Sequence, residues 1–195
     1  MNVLIDRLPT AVSVGGKRYQ PETDYRAAVA FELLVESGEE DPYKLIKPFY
    51  PQGVPVDINA AAEAALWLYR GGEEIPQDTG KGEKKQRSYS FEVDAETIFA
   101  DFWRYYDIDL SNEALHWWVF RALLAGLPDD SGYKQRVYYR TCDLKGLPKA
   151  EQARIKRIRN IIAINTEKRG KMTLEERNAL MLEYVSKRSE EAKGG

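Results

Sequence analysis

Few residues in this chain have the type and spacing that chemistry needs. His116 is the only histidine, and no serine, cysteine or acidic residue stands at a recognisable motif spacing from it. A general base there is less expected than a histidine held on a helix face. Cys142 is the only cysteine. One cysteine and one histidine exclude an internal disulfide and a Cys/His zinc site, and a lone thiol with no histidine near it in sequence reads as a small packed residue. Asp107 and Asp109, with Asp101 nearby, could suggest a carboxylate metal or acid/base site. The later ligands of a calcium loop are missing, however, and aspartates are common in short interhelical turns because they bond to their own backbone. Gly80-Lys81-Gly82 lacks the spacing and the preceding apolar strand of a phosphate loop. The expectation is a protein without catalytic, cofactor-binding or metal-binding residues.

The elements that would position these residues are mostly helical. The run Leu115 to Pro128 leaves almost no polar arc on a helix, which calls for a helix wrapped by others. At about 12 residues it falls short of the roughly 20 that span a bilayer. Ser111 and Asn112 could cap its start, and Gly126-Leu127-Pro128 supplies its stop. Arg121, one turn after Trp117, is placed to stack on the indole. Upstream, Val12 to Tyr19 alternates around Gly15-Gly16 as a β-hairpin. Helices follow from Thr23 or Asp24 to Gly38, from Tyr43 to Tyr50, and from Asp57 or Asn59 to Arg70. Asp94 opens a helix on which Ile98, Phe99, Phe102, Trp103 and Tyr106 form a wide apolar face. Two more begin near Gly132 and after Pro148, the last with Ile155, Ile158, Ile161 and Ile162 inward. The fold class is mainly α: an N-terminal hairpin with short helices, then a bundle around a central Trp-rich helix, then a C-terminal amphipathic helix. The boundaries are residues 1–70, a mobile linker 71–88 with little apolar content, the bundle 89–165, and 166–195.

The chain has 195 residues with 43% hydrophobic and 31% charged side chains, a globular composition with a soluble surface. The N-terminus lacks the basic start and apolar run of a signal peptide, so a reducing cytoplasm is expected. A net charge of -2 hides a gradient: residues 131–160 hold 9 basic and 2 acidic side chains. That block reads either as a site for phosphate or an acidic partner, or as the solvated face of two helices. The solvated face is the simpler account, since no RNA-binding or zinc-finger motif accompanies it. After Thr173, a capping box opens a helix whose narrow stripe of Leu174, Met181, Leu182 and Val185 suits docking in a partner's groove. The basic face bearing Arg154 and Arg157 is the second candidate partner surface.

Several runs together carry a resemblance. They are Asp6-Arg7-Leu8-Pro9, Thr23-Asp24-Tyr25-Arg26, Phe91-Glu92-Val93-Asp94, Tyr105-Tyr106-Asp107-Ile108-Asp109-Leu110, Val137-Tyr138-Tyr139-Arg140 with Asp143-Leu144, and above all Leu115 to Pro128. In these the chain, over residues 1 to about 165, resembles the bacteriophage "gene product fifteen" family of the tail-morphogenesis region of long-tailed phages. The resemblance implies a position between the tail-tube and tape-measure genes and the role of a tail assembly chaperone in the host cytoplasm. Its implied partners are the tape-measure protein, tail-tube subunits and a shorter chaperone, with no membrane. It attributes no catalytic residue, so His116, Trp117, Trp118, Arg121, Gly126 and Pro128 carry over as signature positions only. A structural virion component, and a nucleic-acid-binding regulator using residues 131–160, are the alternatives.

Overall fold

The computed structural model describes residues 4–73 and 87–164. Among these the chain is mainly α, with seven helices and one two-stranded hairpin, in two compact units. Residues 4–73 with Ala114–Phe120 form the first, and residues 87–113 with 121–164 the second. Much of the proposed linker 71–88, and all of 166–195 with Leu174, Met181, Leu182 and Val185, lie outside the described residues. No helix among the described residues is long and apolar enough to cross a membrane.

In the first unit, β1 (Val12–Val14) pairs antiparallel with β2 (Lys17–Tyr19), in the register Val12↔Tyr19 and Val14↔Lys17. Gly15 and Gly16 between them sit at φ 54° and 77°, the left-handed conformation that a two-residue turn of this hand requires. Helix α1 (Tyr25–Ser37) starts at Asp24, whose carboxylate accepts the Arg26 N–H at 3.0 Å. Pro42 opens α2 (Pro42–Ile46) behind the Asp41 cap, and a 3-10 turn, Lys47–Phe49, follows. Asp57 caps α3 (Ile58–Tyr69). Ala61, Ala62 and Ala65 are buried on α3, and their small side chains let neighbouring backbone come close. Phe31, Ile46, Phe49, Leu66 and Leu68 fill the core, with the Phe31 ring edge-on to Tyr69 at 5.0 Å. Glu32 is buried as well, and its Oε1 accepts the Tyr69 hydroxyl at 2.6 Å.

In the second unit, α4 (Ala95–Tyr106), the later part of α5 (Trp117–Gly126), α6 (Gly132–Thr141) and α7 (Lys149–Ile161) enclose Ile98, Phe102, Leu124, Leu127, Tyr133 and Ile155. Polar side chains complete the helix ends. Ser131 caps α6 through Lys134 N, and the buried Asp101 on α4 accepts the Gly132 and Tyr133 N–H groups at 3.2 and 2.7 Å. The Tyr106 hydroxyl and Lys134 Nζ donate to the Leu123 and Ala125 carbonyls near the end of α5, both at 2.8 Å. Those carbonyls are among the last four that a helix leaves without an internal partner.

Three sequence expectations are corrected in detail. Ser111 and Asn112 do not cap α5; they fold into a turn around Asp109, and the helix starts at Trp117. The apolar circle of α5 is not fully covered, because Ala122 and Ala125 face solvent, which small apolar side chains do at little cost. On α4 and α7, Phe99, Trp103 and Ile161 are exposed while Ile98, Phe102 and Ile155 are buried. The buried stripe is therefore narrower than the apolar pattern.

Candidate functional site

Residues from the runs that carry the resemblance form two knots, one in each unit. In the first, His116 stands immediately before α5. Its Nδ1 accepts the Trp118 N–H at 3.1 Å, and its Nε2 lies 3.1 Å from the Pro9 carbonyl, which can only accept. Nε2 therefore carries the proton and Nδ1 the lone pair, so the ring is a neutral N-cap with both nitrogens engaged. The backbone around it bridges to the start of α1: Tyr25 N donates to Leu115 O, and Trp117 N to Thr23 O, each at 2.8 Å. Asp24 joins both ends, its second carboxylate oxygen accepting the Leu115 N–H at 3.1 Å. Tyr25 stacks on Phe120 with centroids 4.6 Å apart.

The adjacent tryptophans have parallel tasks. Trp117 Nε1 donates to the Tyr69 carbonyl at 2.7 Å, and Trp118 Nε1 to the Leu68 carbonyl at 2.6 Å. Both indoles thus close the C-terminal end of α3 while burying their rings. The chain leaves α3 close against the Trp118 ring: a Cβ on Gly72, which has φ +79°, would lie 2.8 Å from Trp118 Cη2. Arg121 is half-buried farther along α5. Gly126 ends the helix, and the Pro128 carbonyl accepts Ser131 N at 2.9 Å just before α6.

The second knot joins two signature runs. Asp94, from Phe91-Glu92-Val93-Asp94, is fully buried, and so nearly is Arg140, from Val137-Tyr138-Tyr139-Arg140. Arg140 Nη1 and Nη2 hold the two Asp94 oxygens at 2.6 and 2.8 Å. Its other donors reach Ser88 O at 3.1 Å and Ile162 O at 3.0 and 2.8 Å, so all five N–H groups of the guanidinium are used. Asp94 also accepts from Ser90 N and Arg136 Nη1. Burial pushes the Asp94 carboxyl up, but the Arg140 and Ser90 hydrogen bonds and the Arg140 charge outweigh it and hold the group below its ordinary value. Asp94 stands at the N-cap position of α4, as its sequence context predicts, yet makes no side-chain cap bond there.

The remaining chemical candidates are also accounted for by local structure. Asp107 sits at φ 54° as the C-cap of α4. The Ser111 hydroxyl and the Asn112 amide, at 2.5 and 2.6 Å, hold the half-buried Asp109 carboxyl below its ordinary value. No group of three or more His, Cys, Asp or Glu side chains is placed to hold a metal ion among the described residues. Cys142 is half-buried beside Arg159, which donates to the Tyr139 and Cys142 carbonyls.

The basic block 131–160 is drawn inward only in part. Lys134, Arg136, Arg140 and Arg159 are engaged as described, and Arg154 pairs at 3.3 Å with Glu151. Lys145, Lys149, Lys156 and Arg157 remain, exposed and without a hydrogen bond or ion pair from their side chains among the described residues. Arg154 and Arg157 share the exposed side of α7. The surface feature that the sequence did not single out is on α4, where Trp103 is 52% and Phe99 38% exposed, with ring centroids 6.2 Å apart.

Fold and knots define a mainly helical protein whose distinctive residues hold its elements together. The chain belongs to the family described as bacteriophage Gp15 protein, whose family model matches residues 4–164. No curated protein and no solved structure matches it.

Proposed function

We propose that this bacteriophage protein is a non-enzymatic tail assembly chaperone. It would bind helical segments of the tape-measure protein, and tail-tube subunits, in the host cytoplasm before the tube polymerises. Family membership gives the context, and the engagement of His116, Asp94, Arg140 and Asp101 in holding the fold supports a role without chemistry. The observation that carries the reading is the exposed Phe99–Trp103 pair. Two large aromatic side chains one turn apart on a solvent-facing helix are the anchor pattern by which an apolar helical stripe is gripped. Arg154 and Arg157 on α7, and the stripe of Leu174, Met181, Leu182 and Val185, are further proposed contacts. Co-expression with the tape-measure protein tests this. The complex should survive purification with the native chain and be lost with Phe99→Ala/Trp103→Ala. A tape-measure protein that stays equally soluble, and equally associated, with that variant would overturn the placement of the contact, and no association with the native chain would overturn the function.

A further inference from the structure

A cleft of about 350 Å³ opens in the first unit between Arg18-Tyr19-Gln20, at the end of β2, and Tyr50-Pro51-Gln52-Gly53, after the 3-10 turn. Its size lies at the lower end of the roughly 300–1,000 Å³ of ligand sites. Tyr50 forms the floor. It is buried, and its hydroxyl is fixed by donation to the Ala61 carbonyl at 2.9 Å. Burial, and after it the neighbouring Tyr19, pushes that hydroxyl up to about 12, so the floor stays neutral. The lining also includes Arg18, Tyr19, Gln20 and Gln52, with Tyr19 on the Tyr50 side of β2 and Arg18 on its exposed face. None of these side chains has a hydrogen-bond or ion-pair partner among the described residues, and no acidic residue lines the cleft.

The backbone adds a direction. Among the described residues, β2 pairs with β1 on one side only. A two-residue turn makes Val14↔Lys17 the hydrogen-bonded pair, so Ser13↔Arg18 is the non-bonded pair of the ladder. Arg18 therefore turns its N–H and C=O away from β1, toward the open edge beside the cleft, and its side chain stands on the exposed face of the hairpin, where the side chain of a residue paired to it would also lie. An open strand edge is a template for another strand, and the adjacent cations Lys17 and Arg18 select its charge.

We propose that this cleft docks an extended acidic peptide, which adds to the edge of β2 as a third strand and sets a carboxylate on Arg18. Strand addition supplies main-chain hydrogen bonds, and the cleft supplies the side-chain preference. The Gln20 and Gln52 amides are placed to bond the incoming backbone, and the Tyr50 and Pro51 rings to take an apolar neighbour of the carboxylate. This surface is separate in kind from the α4 aromatic pair and does not depend on the chaperone reading.

Amide NMR of the full chain tests it with three probes: a capped octapeptide of alternating Thr and Glu, the same peptide with Lys for Glu, and acetate. The Thr-Glu peptide should give saturable shifts at Arg18, Gln20, Gln52 and Gly53 and slow hydrogen exchange of the Arg18 amide. The Thr-Lys peptide should give neither. Arg18→Glu, at an exposed position, should leave the melting temperature unchanged and weaken Thr-Glu binding about tenfold or more, the loss of one charge-assisted bond. The proposal is overturned by no saturable response to the Thr-Glu peptide or by an equal response to the Thr-Lys peptide. Acetate reproducing the whole pattern, without the peptide slowing Arg18 exchange, would also overturn it, by showing a carboxylate site with no added strand.

Discussion

Replacing Arg140 with alanine should be among the most damaging single changes in the second unit. The side chain is 3% exposed and its partner Asp94 is fully buried, so truncation leaves a carboxylate in the interior with two of its four hydrogen bonds gone. It also leaves the Ser88 and Ile162 carbonyls without this donor. Removing one partner of a buried pair costs about 3–5 kcal/mol, a large share of the roughly 5–15 kcal/mol that holds a domain together. Arg136 can offset little, since its side chain is 31% exposed and meets Asp94 through one oxygen. The assay is urea unfolding followed by circular dichroism. Asp94→Ala/Arg140→Ala should cost less than the sum of the two single variants by more than about 1 kcal/mol, because neither charge is then stranded. The sign with pH follows from the Asp94 carboxyl, which is held below its ordinary value. Its contribution is fully present above the unfolded-state value and is lost as pH falls through the folded one, beneath the usual carboxylate range. Arg140→Ala should therefore flatten the acid limb of the stability curve. A variant within about 1 kcal/mol of the native chain, or a strictly additive double variant, would refute the reasoning.

Other outcomes follow from the first knot and from α4. Trp118→Ala should cost about 3–5 kcal/mol in a thermal or urea melt, for a buried indole that also bonds the Leu68 carbonyl; near-neutrality would contradict the packing at the end of α3. Gly72→Ala should cost more than about 1 kcal/mol, since it needs both φ +79° and the 2.8 Å approach to Trp118. The His116 ring should show the Nε2-protonated neutral form in nitrogen NMR, and His116→Asn, which can accept the Trp118 N–H, should keep more stability than His116→Ala, whose loss is about 0.5–2 kcal/mol. Equal losses would mean that the cap bond is not what holds the ring. Trp103→Ala, at an exposed position, should change stability by no more than about 0.5–1 kcal/mol.

The sequence shows local structure more clearly than the pairing of distant runs. Gly15-Gly16 announces the hairpin, and Asp24 and Asp57 announce α1 and α3, because turns and caps are written within a few residues. What α5 meets is not written so. Trp117 and Trp118 read as general core residues, and only the fold shows their indoles aimed at the Leu68 and Tyr69 carbonyls, some 50 positions upstream. Asp94 reads as a cap because Asp often caps, yet its partner lies 46 positions away on α6. The available hint was Arg140 itself, a cation in the apolar run Val137-Tyr138-Tyr139. On α4 the apolar pattern overstated the buried face, since periodicity cannot separate a side chain facing the core from one facing outward for a partner. Trp103 and Phe99 became visible as surface residues only once Ile98 and Phe102 were seen to fill the interior.

The central claim is that the signature residues build the fold while an exposed aromatic pair makes the contact. Affinity measured between the tape-measure protein and two folded variants, Trp103→Ala and His116→Asn, tests it most directly. The account predicts that Trp103→Ala melts like the native chain but binds at least about tenfold more weakly, and that His116→Asn, though less stable, binds with native affinity below its melting temperature. Native binding by Trp103→Ala together with lost binding by a folded His116→Asn would contradict it.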